Sequence, residues 1–90
     1  LVINYPKYFT PNGDGVNDTW NISSLSGQAN AVIKIYDRYG KVMKEIRPSG
    51  SGWDGTYSGQ SMPSNDYWFT INYEQDGVFT EFKSHFAMKR

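Results

Sequence analysis

The chain of 90 residues contains no cysteine, which excludes a disulfide framework, thiol catalysis and thiolate metal sites. It has only two leucines and three alanines, which speaks against a helical bundle. Nine basic residues balance nine acidic ones, so the chain lacks the positive field that a general nucleic-acid binder needs. No apolar run is long enough to span a bilayer, and the first residues are not those of a secretory signal. These absences predict a small non-helical domain with no nucleic-acid partner and no transmembrane segment.

Aromatic and turn residues are abundant instead. Five Phe, three Trp and seven Tyr can bury much of the area that aliphatic side chains usually supply. Nine Gly and four Pro separate short runs rich in β-branched and aromatic residues. These runs predict strands near residues 1–8, 19–23, 31–38, 41–46, 67–73 and 78–88. The fold prediction is an all-β, immunoglobulin-like antiparallel β-sandwich of six to seven short strands in one domain.

Two hairpins are expected within this fold. Gly40 suits the left-handed position of a bulged loop between the third and fourth predicted strands. Asp76-Gly77 is a strong turn signal between the last two strands. An amphipathic helix over residues 31–46 is the competing interpretation, because the apolar residues there also have near-helical spacing. Gly40 and the β-branched content disfavour that helix.

The sequence offers little for catalysis. His85 is the only histidine, no cysteine is present, and no serine has a recognisable motif around it. The position of His85 on the last predicted strand indicates a surface histidine. A glycosidase with two carboxylates would need a cleft that a domain of this size has little room for. We therefore predict that the chain is not an enzyme.

One loop is rich in oxygen-bearing side chains and glycines. Its residues are Phe9, Thr10, Pro11, Asn12, Gly13, Asp14, Gly15, Val16, Asn17 and Asp18. Asn12, Asp14 and Asp18 could supply oxygen ligands to calcium, although Val16 and the missing terminal Glu depart from the EF-hand pattern. The preferred interpretation is a rigid turn in which Asn and Asp side chains bind nearby backbone amides. No cofactor is predicted, and calcium stays open as the alternative.

Two further surfaces allow a binding interpretation. Aromatic residues could form a platform for stacking sugars, or they could form the core and its rim, which we favour: Trp20, Trp53, Tyr57, Tyr67 and Trp68. Cations concentrate on the first hairpin: Lys34, Arg38, Lys41, Lys44 and Arg47. That basic hairpin could dock an acidic partner or a lipid head group. Equally, it could carry lysines that block strand addition at a sheet edge.

Five segments occur in a recognisable order. They are Phe9 to Asp18, Ile35-Tyr36-Asp37-Arg38-Tyr39-Gly40-Lys41, Gly52-Trp53-Asp54-Gly55 with Tyr57 and Gly59, Met62-Pro63-Ser64-Asn65-Asp66-Tyr67-Trp68-Phe69, and Phe86-Ala87-Met88-Lys89-Arg90. Together they resemble the type B C-terminal sorting domain of the type IX secretion system, also called the gliding motility-associated C-terminal domain. The resemblance extends from about Tyr5 to Arg90. Only residues 27–30 and the hairpin tip near Asp76 carry no signal of that family.

The resemblance implies that the chain is a sorting signal and not a catalyst. Residues 1–90 would be a single sorting domain at the end of a much larger secreted protein of Bacteroidota, often an adhesin. The domain would be recognised in the periplasm by the type IX translocon and by an outer-membrane protein of the PorP/SprF family. The parent protein would then reach the cell surface or the medium. We expect the domain to be monomeric.

The resemblance also suggests which residues have which role. Gly40, Trp53, Asp54, Gly55, Tyr67 and Trp68 would maintain the fold. The exposed recognition candidates are the loop at residues 11–18, the basic hairpin, and a C-terminal handle made of Phe86, Met88, Lys89 and Arg90. A Lys-Arg pair beside a strand edge suits strand addition combined with charge contact. The alternative function is an extracellular carbohydrate-binding or calcium-stabilised adhesion module, which would share the same fold.

Overall fold

The computed structural model of the protein describes residues 3–13, 15, 17–28 and 30–89. Its elements are seven strands and one short 3-10 helix at Ser23–Leu25. The strands are β1 (Tyr8–Phe9), β2 (Val32–Tyr36), β3 (Val42–Ile46), β4 (Thr56–Tyr57), β5 (Gln60–Ser61), β6 (Asn65–Gln75) and β7 (Val78–Met88). The described residues contain no α-helix, which confirms the all-β prediction.

The strands form two sheets of very different size. A five-stranded sheet has the order β1-β7-β6-β2-β3, and β4 and β5 form a separate two-stranded sheet. Pairing is antiparallel except between β1 and β7, which are parallel. The predicted β-sandwich of six to seven strands is confirmed. The parallel edge strand is the one departure from the antiparallel arrangement.

Both predicted hairpins are present. Asp76 and Gly77 have φ values of 54° and 81°, and Gln75 pairs directly with Val78 around them. Two successive residues with positive φ are typical of a type I′ turn, whose twist matches that of its strands. Gly40 has a φ of 81° in the turn between β2 and β3, as predicted. Because β2 and β3 pair as antiparallel strands, the helical alternative over residues 31–46 is wrong.

The core lies against one face of the large sheet. Along β6, buried residues alternate with residues that are not buried, as expected for a strand with one face covered. The cover comes from the segment that carries Trp20, Ile22 and Leu25, together with Trp53. The ring of Phe86 on β7 is 1% exposed and stacks on Trp20 with 4.0 Å between ring centroids. Further ring contacts place Phe86 at the centre of the aromatic cluster, since it also meets Phe9, Trp53, Tyr67 and Phe69.

The strand predicted over residues 1–8 is wrong for the part that the structure describes. Residues 3–7 form no strand, and only Tyr8 belongs to β1. The ring of Tyr5 instead turns onto the core face, 5.0 Å from the ring of Phe69. Pro6 follows and has no N–H to donate to a sheet. Leu1 and Val2 lie outside the described residues.

The strand predicted over residues 19–23 is also wrong. Only Trp20 pairs there, through an isolated bridge to Trp53, and the 3-10 helix begins at Ser23. The sequence prediction missed β4 and β5, which are two residues each and therefore too short to show alternation. It also made β6 too short, because Asn65, Asp66 and Gln75 are poor strand formers that the long pairing with β7 holds extended.

The strand directions define two ends of the large sheet. β1, β2 and β7 finish at one end, where β3 and β6 begin. We call this the signature end, since the loop after Phe9, the β2–β3 turn and Lys89 all lie there. The opposite end, the tip end, carries the Asp76-Gly77 turn and the contact of Gln28 with β6. Most of the segments that resemble the sorting-domain family therefore meet at the signature end. The two parts that carry no signal of that family, residues 27–30 and the hairpin tip near Asp76, meet at the tip end.

Candidate functional site

The signature end brings together surfaces that are far apart in sequence. The amide of Lys89 donates to the carbonyl of Phe9 at 3.0 Å, so the loop after β1 and the last residues of the chain are adjacent. The β2–β3 turn belongs to the same end, across β6 from that contact. A shallow groove lies between this turn and the approach to β6, lined by residues that include Arg38, Tyr39 and Met62.

The loop after β1 is organised by one carboxylate. Oδ1 of Asp18 accepts from the amide of Gly13 at 3.0 Å, and Oδ2 accepts from the amide of Gly15 at 2.7 Å. The amide of Thr10 donates to the carbonyl of Asn17 at 2.8 Å and closes the base of the loop. Gly13 and Gly15 both have φ near 80°, which glycine adopts without strain. Asp18 thus acts as an internal clamp on the loop, as the rigid-turn interpretation predicts.

Calcium binding by this loop stays a prediction. Of its three candidate ligands, Asp14 lies outside the described residues, as does the neighbouring Val16. Both carboxylate oxygens of Asp18 already accept amide hydrogen bonds. Among the described residues, no group of three or more His, Asp or Glu side chains is arranged to hold a metal ion.

The β2–β3 turn presents an exposed aromatic ring. Oδ1 of Asp37 accepts from the amides of Tyr39 and Lys41, both at 2.9 Å, and so fixes the turn. Tyr39 is 79% exposed. Its hydroxyl accepts a hydrogen bond from the guanidinium of Arg38 at 2.8 Å, and the guanidinium carbon lies 4.9 Å from the ring centroid. The turn therefore presents a preorganised pair of one cation and one ring.

The five cations of the basic hairpin are all exposed but do not form one patch. Lys34 lies in the middle of the sheet, opposite Glu45 on β3. Lys41 covers the ring of Tyr57 on β4, with its Nζ 4.6 Å from the ring centroid. Lys44 acts electrostatically on Asp54, and Arg47 follows β3 at its far end. Only Arg38 and Lys41 belong to the signature end.

The Gly52-Trp53-Asp54-Gly55 motif maintains the covering layer. Trp53 and Trp20 exchange two main-chain hydrogen bonds of 2.8 and 2.9 Å. Gly52 has a φ of 89°, and a Cβ there would lie 2.6 Å from the carbonyl oxygen of Trp20. Only glycine fits this close approach of two chain segments.

Asp54 stabilises the turn that follows Trp53. Its Oδ1 accepts from the hydroxyl of Thr56 at 2.7 Å and from the amide of the same residue at 3.1 Å. The hydroxyl bond is the main cause that lowers the pKa of Asp54, and the charge of Lys44 adds to it, while slight burial acts in the opposite sense. This carboxylate is therefore ionised and structural, as the predicted fold role requires.

The C-terminal residues divide between core and surface. Phe86 and Met88 are each 1% exposed, so they lie in the core and not at the surface. β1 already pairs with β7 at Ala87 and Met88. Lys89 is exposed, with its Nζ 5.3 Å from the centroid of the Tyr8 ring. Arg90 lies outside the described residues, so Lys89 is the part of the predicted handle that the structure describes at the surface.

Comparison with known protein families identifies the family of this chain. The CHU_C type IX secretion signal domain matches residues 3–87, which is nearly the whole chain. The chain belongs to this family. The family resemblance expected from the ordered motifs is confirmed, and it assigns a non-catalytic sorting signal that engages the type IX secretion system for export to the cell surface or the extracellular space. No curated protein matches the chain.

The aromatic residues of this signal domain mainly build its core. Trp20, Trp53 and Tyr67 are buried, and Tyr57 is half-buried. Trp68 is the exception at 40% exposure, and its ring lies 6.3 Å from the ring of His85. The interpretation of the rings as core and rim is therefore correct for most of them. They do not form the row of exposed coplanar rings that a sugar platform requires.

His85 is exposed on β7, where the sequence predicted a surface histidine. No helix in the described part of the chain has the length and apolarity to cross a membrane.

Two residues have structural roles that differ from what the sequence predicts. Phe86 was assigned to a surface handle although it is the hub of the aromatic core; its alternation with His85 along β7 was the available signal. Gln28 donates from Nε2 to the carbonyl of Glu74 at 3.0 Å and accepts from the Glu74 amide at 2.7 Å. Its side-chain amide thus extends the sheet at the tip end as a strand would. No local sequence pattern indicates such a long-range contact.

Proposed function

We propose that this domain is the export address of a cell-surface adhesin of Bacteroidota, in the group associated with gliding motility. The folded domain is recognised in the periplasm and directs its parent through the type IX translocon. A PorP/SprF-family outer-membrane protein is its dedicated receptor. The observation that carries the proposal is the match of the signal-domain family over residues 3–87.

The architecture suits a tag that is recognised in its folded state. The domain has its own core, in which Phe86 packs among five other aromatic side chains, with Trp20 stacked on it. The indole N–H groups of Trp20 and Trp53 donate to the carbonyls of Pro6 and Thr56, at 2.8 and 2.9 Å. Among the described residues, every buried side-chain nitrogen and oxygen has a hydrogen-bond partner within the domain. Such a domain presents a fixed surface wherever it is attached.

We place the recognition surface at the signature end. Rigid loops clamped by Asp18 and Asp37 lie there beside exposed Arg38, Tyr39 and Lys89. An exposed ring with adjacent cations is the composition that binding hot spots favour. A receptor with an acidic rim would complement Arg38 and Lys89 and would gain association rate from them.

The test is export of a fluorescent reporter that carries residues 1–90 at its C-terminus. Export from a type IX-competent host, lost both in a translocon-null strain and in a strain without the PorP/SprF protein, is the expected result. Retention in all strains with a folded reporter would contradict the proposal for residues 1–90. Loss only in the translocon-null strain would contradict the named receptor.

Charge-removal variants locate the surface. Arg38→Gln and Lys89→Gln should each lower export, and the double variant should lower it further. Lys34→Gln is the matched control, because Lys34 is an exposed cation of the same hairpin in the middle of the sheet. Equal loss from all three variants would contradict recognition at the signature end.

A further inference from the structure

Among the residues that the structure describes, β1 alone pairs with the outer edge of β7. β1 pairs with this edge only at Ala87 and Met88. Within the part of the chain that the structure describes, no strand pairs with residues 78–86 on this side. β7 therefore presents a run of unpaired main-chain groups, the usual template for addition of a strand.

Strand geometry identifies the residues that present those groups. The amides of Ala87 and Lys89 donate toward β1, to the carbonyls of Lys7 and Phe9. Because main-chain groups alternate direction with a period of two, the preceding residues of the same parity also face the open edge. These are Phe79, Glu81, Lys83 and His85. Their side chains share the outer face of the sheet with Glu74, Asn72, Thr70 and Trp68, their partners on β6.

The segment before β1 explains why the edge is left open. A backward extension of β1 would run along β7, but Pro6 has no N–H to pair with it. The carbonyl of Pro6 accepts from the indole of Trp20 at 2.8 Å, and the ring of Tyr5 turns onto the core face. Followed backward from Tyr8, this segment therefore turns away from the β7 edge at Pro6, and among the described residues the main-chain groups of His85 stay unpaired on that side.

The sequence of β7 is complementary to itself around Phe82. In an antiparallel pair of β7 strands centred on Phe82, Glu81 lies opposite Lys83 of the second copy, and Lys83 lies opposite its Glu81. In the same register Phe79 meets His85, and Thr80 meets Ser84. We propose that, in place of the monomer expected from the sequence, two copies of this domain associate edge to edge along β7 in this register, which joins their large sheets into one.

Charge complementarity selects this register and this occupant. Within one chain, Nζ of Lys83 lies 3.5 Å from Oε1 of Glu81, on the outer face of the sheet. In the pair of strands the four charges form a square in which every nearest neighbour has the opposite sign. The two neighbouring registers with the same main-chain hydrogen bonding would place Lys83 opposite Lys83 or Glu81 opposite Glu81. Like charges directly opposite destabilise a pair of strands, so of these three registers only the one centred on Phe82 avoids repulsion.

The pairing also covers an exposed ring. Phe79 is 57% exposed, next to Glu74 on β6. In the dimer it contacts His85 of the second copy, whose ring lies beside Trp68. About four main-chain hydrogen bonds form between the two strands, two for each Glu81–Lys83 pair, because Lys7 and β1 already occupy the edge beyond His85. The contact remains small, so we expect a reversible dimer that dissociates on dilution.

Sedimentation velocity of the 90-residue domain over a range of concentrations tests this pairing. The wild type should show a reversible monomer–dimer equilibrium. Glu81→Lys and Lys83→Glu should each raise the dimer Kd by roughly tenfold or more, because each replaces both opposite-charge pairs with like-charge pairs. Lys34→Glu is the control for charge reversal on the same face away from the edge, and it should leave the dimer Kd unchanged.

Mixing the two single variants separates loss of pairing from loss of folding. A heterodimer of Glu81→Lys with Lys83→Glu restores opposite charges at both pairs, so the mixture should associate where neither variant does alone. The chain that carries both substitutions should dimerise as the wild type does. A wild type that stays monomeric at all concentrations overturns the proposal and leaves the edge to a strand of another protein. A mixture that fails to associate also overturns it, whatever the result for export.

Discussion

The two ends of the large sheet differ in how their loops relate to the core. At the signature end, the loop clamped by Asp18 follows buried Phe9 directly, and Lys89 follows buried Met88. At the tip end, a two-residue turn closes the β6–β7 hairpin, and Phe79 beside it is largely exposed. Changes to the proposed recognition surface at the signature end therefore also affect stability, whereas the tip end can change with little effect on the core. The stability of any signature-end variant that is exported poorly must therefore be measured as well.

The largest contrast is expected between two phenylalanines of β7. Phe86→Ala should destabilise the domain by about 3–5 kcal/mol, because it empties the centre of the aromatic cluster. Phe79→Ala at the tip end should change the free energy of unfolding by less than about 0.5 kcal/mol, since the ring is mostly exposed.

Urea unfolding at a concentration where the domain is monomeric measures both changes. Phe86→Leu, which leaves a smaller cavity, provides a folded variant if the alanine variant does not fold. Equal losses at the two positions would contradict the assignment of Phe86 as the hub. Deletion of residues 86–90 would not test recognition, because it removes this hub together with Lys89.

A second contrast separates close packing from backbone strain. Gly52 and Gly77 have similar φ values of 89° and 81°, but only Gly52 has a neighbour within 4 Å of an added Cβ. Gly77→Ala should cost about 1 kcal/mol from the left-handed conformation alone. Gly52→Ala should cost about 3 kcal/mol, because the methyl group also displaces the Trp20 backbone. Thermal unfolding of both variants tests this difference. Similar unfolding midpoints would show that the Trp20 backbone can move away from residue 52 at little cost in stability.

A third contrast compares two side chains that hold main-chain amides. Asp18→Ala and Gln28→Ala each remove two hydrogen bonds and should each cost about 1 kcal/mol. Their effects on export should differ, since only Asp18 shapes the proposed recognition surface. A reporter with Asp18→Ala should be exported poorly and one with Gln28→Ala normally. If the two variants are exported alike at matched stability, the loop is structural only.

Local chemistry explains which parts of this fold the sequence could predict. The turns at Gly40 and at Asp76-Gly77 need positive φ, and alternation along β2 and β7 marks a covered face, so both hairpins were predictable. The covering layer was not, because Trp20 and Trp53 meet through a single bridge that leaves no periodic pattern. At the candidate site, the residues of the Asp18 clamp were identified as a group. Their convergence with Lys89 depends on the parallel pairing of β1 and β7, which residues distant in sequence determine.

The smallest expected contrast depends on pH and concerns the turn after Trp53. The pKa of Asp54 is lowered mainly by the hydroxyl of Thr56, so its ionised form binds the folded state more favourably than the unfolded one. This stabilisation is fully present above the pKa of the unfolded chain and disappears as the pH falls through the lowered pKa of the folded state. Asp54→Asn should therefore lose less than about 1 kcal/mol at neutral pH, since the group is exposed, and nothing in strong acid.

Thr56→Val provides the matched variant, because it keeps the β-branched shape at β4 and replaces the hydroxyl with a methyl group. Its unfolding midpoint should fall below that of the wild type at neutral pH, and the dependence on acid should weaken as it does for Asp54→Asn. The turn lies on the side where Lys41 covers Tyr57, whereas the Gln28 contact at the tip end involves no charged side chain. A Gln28→Ala variant should accordingly lose the same stability at both pH values. If Thr56→Val keeps the acid dependence of the wild type, the hydroxyl of Thr56 is not what lowers the pKa of Asp54.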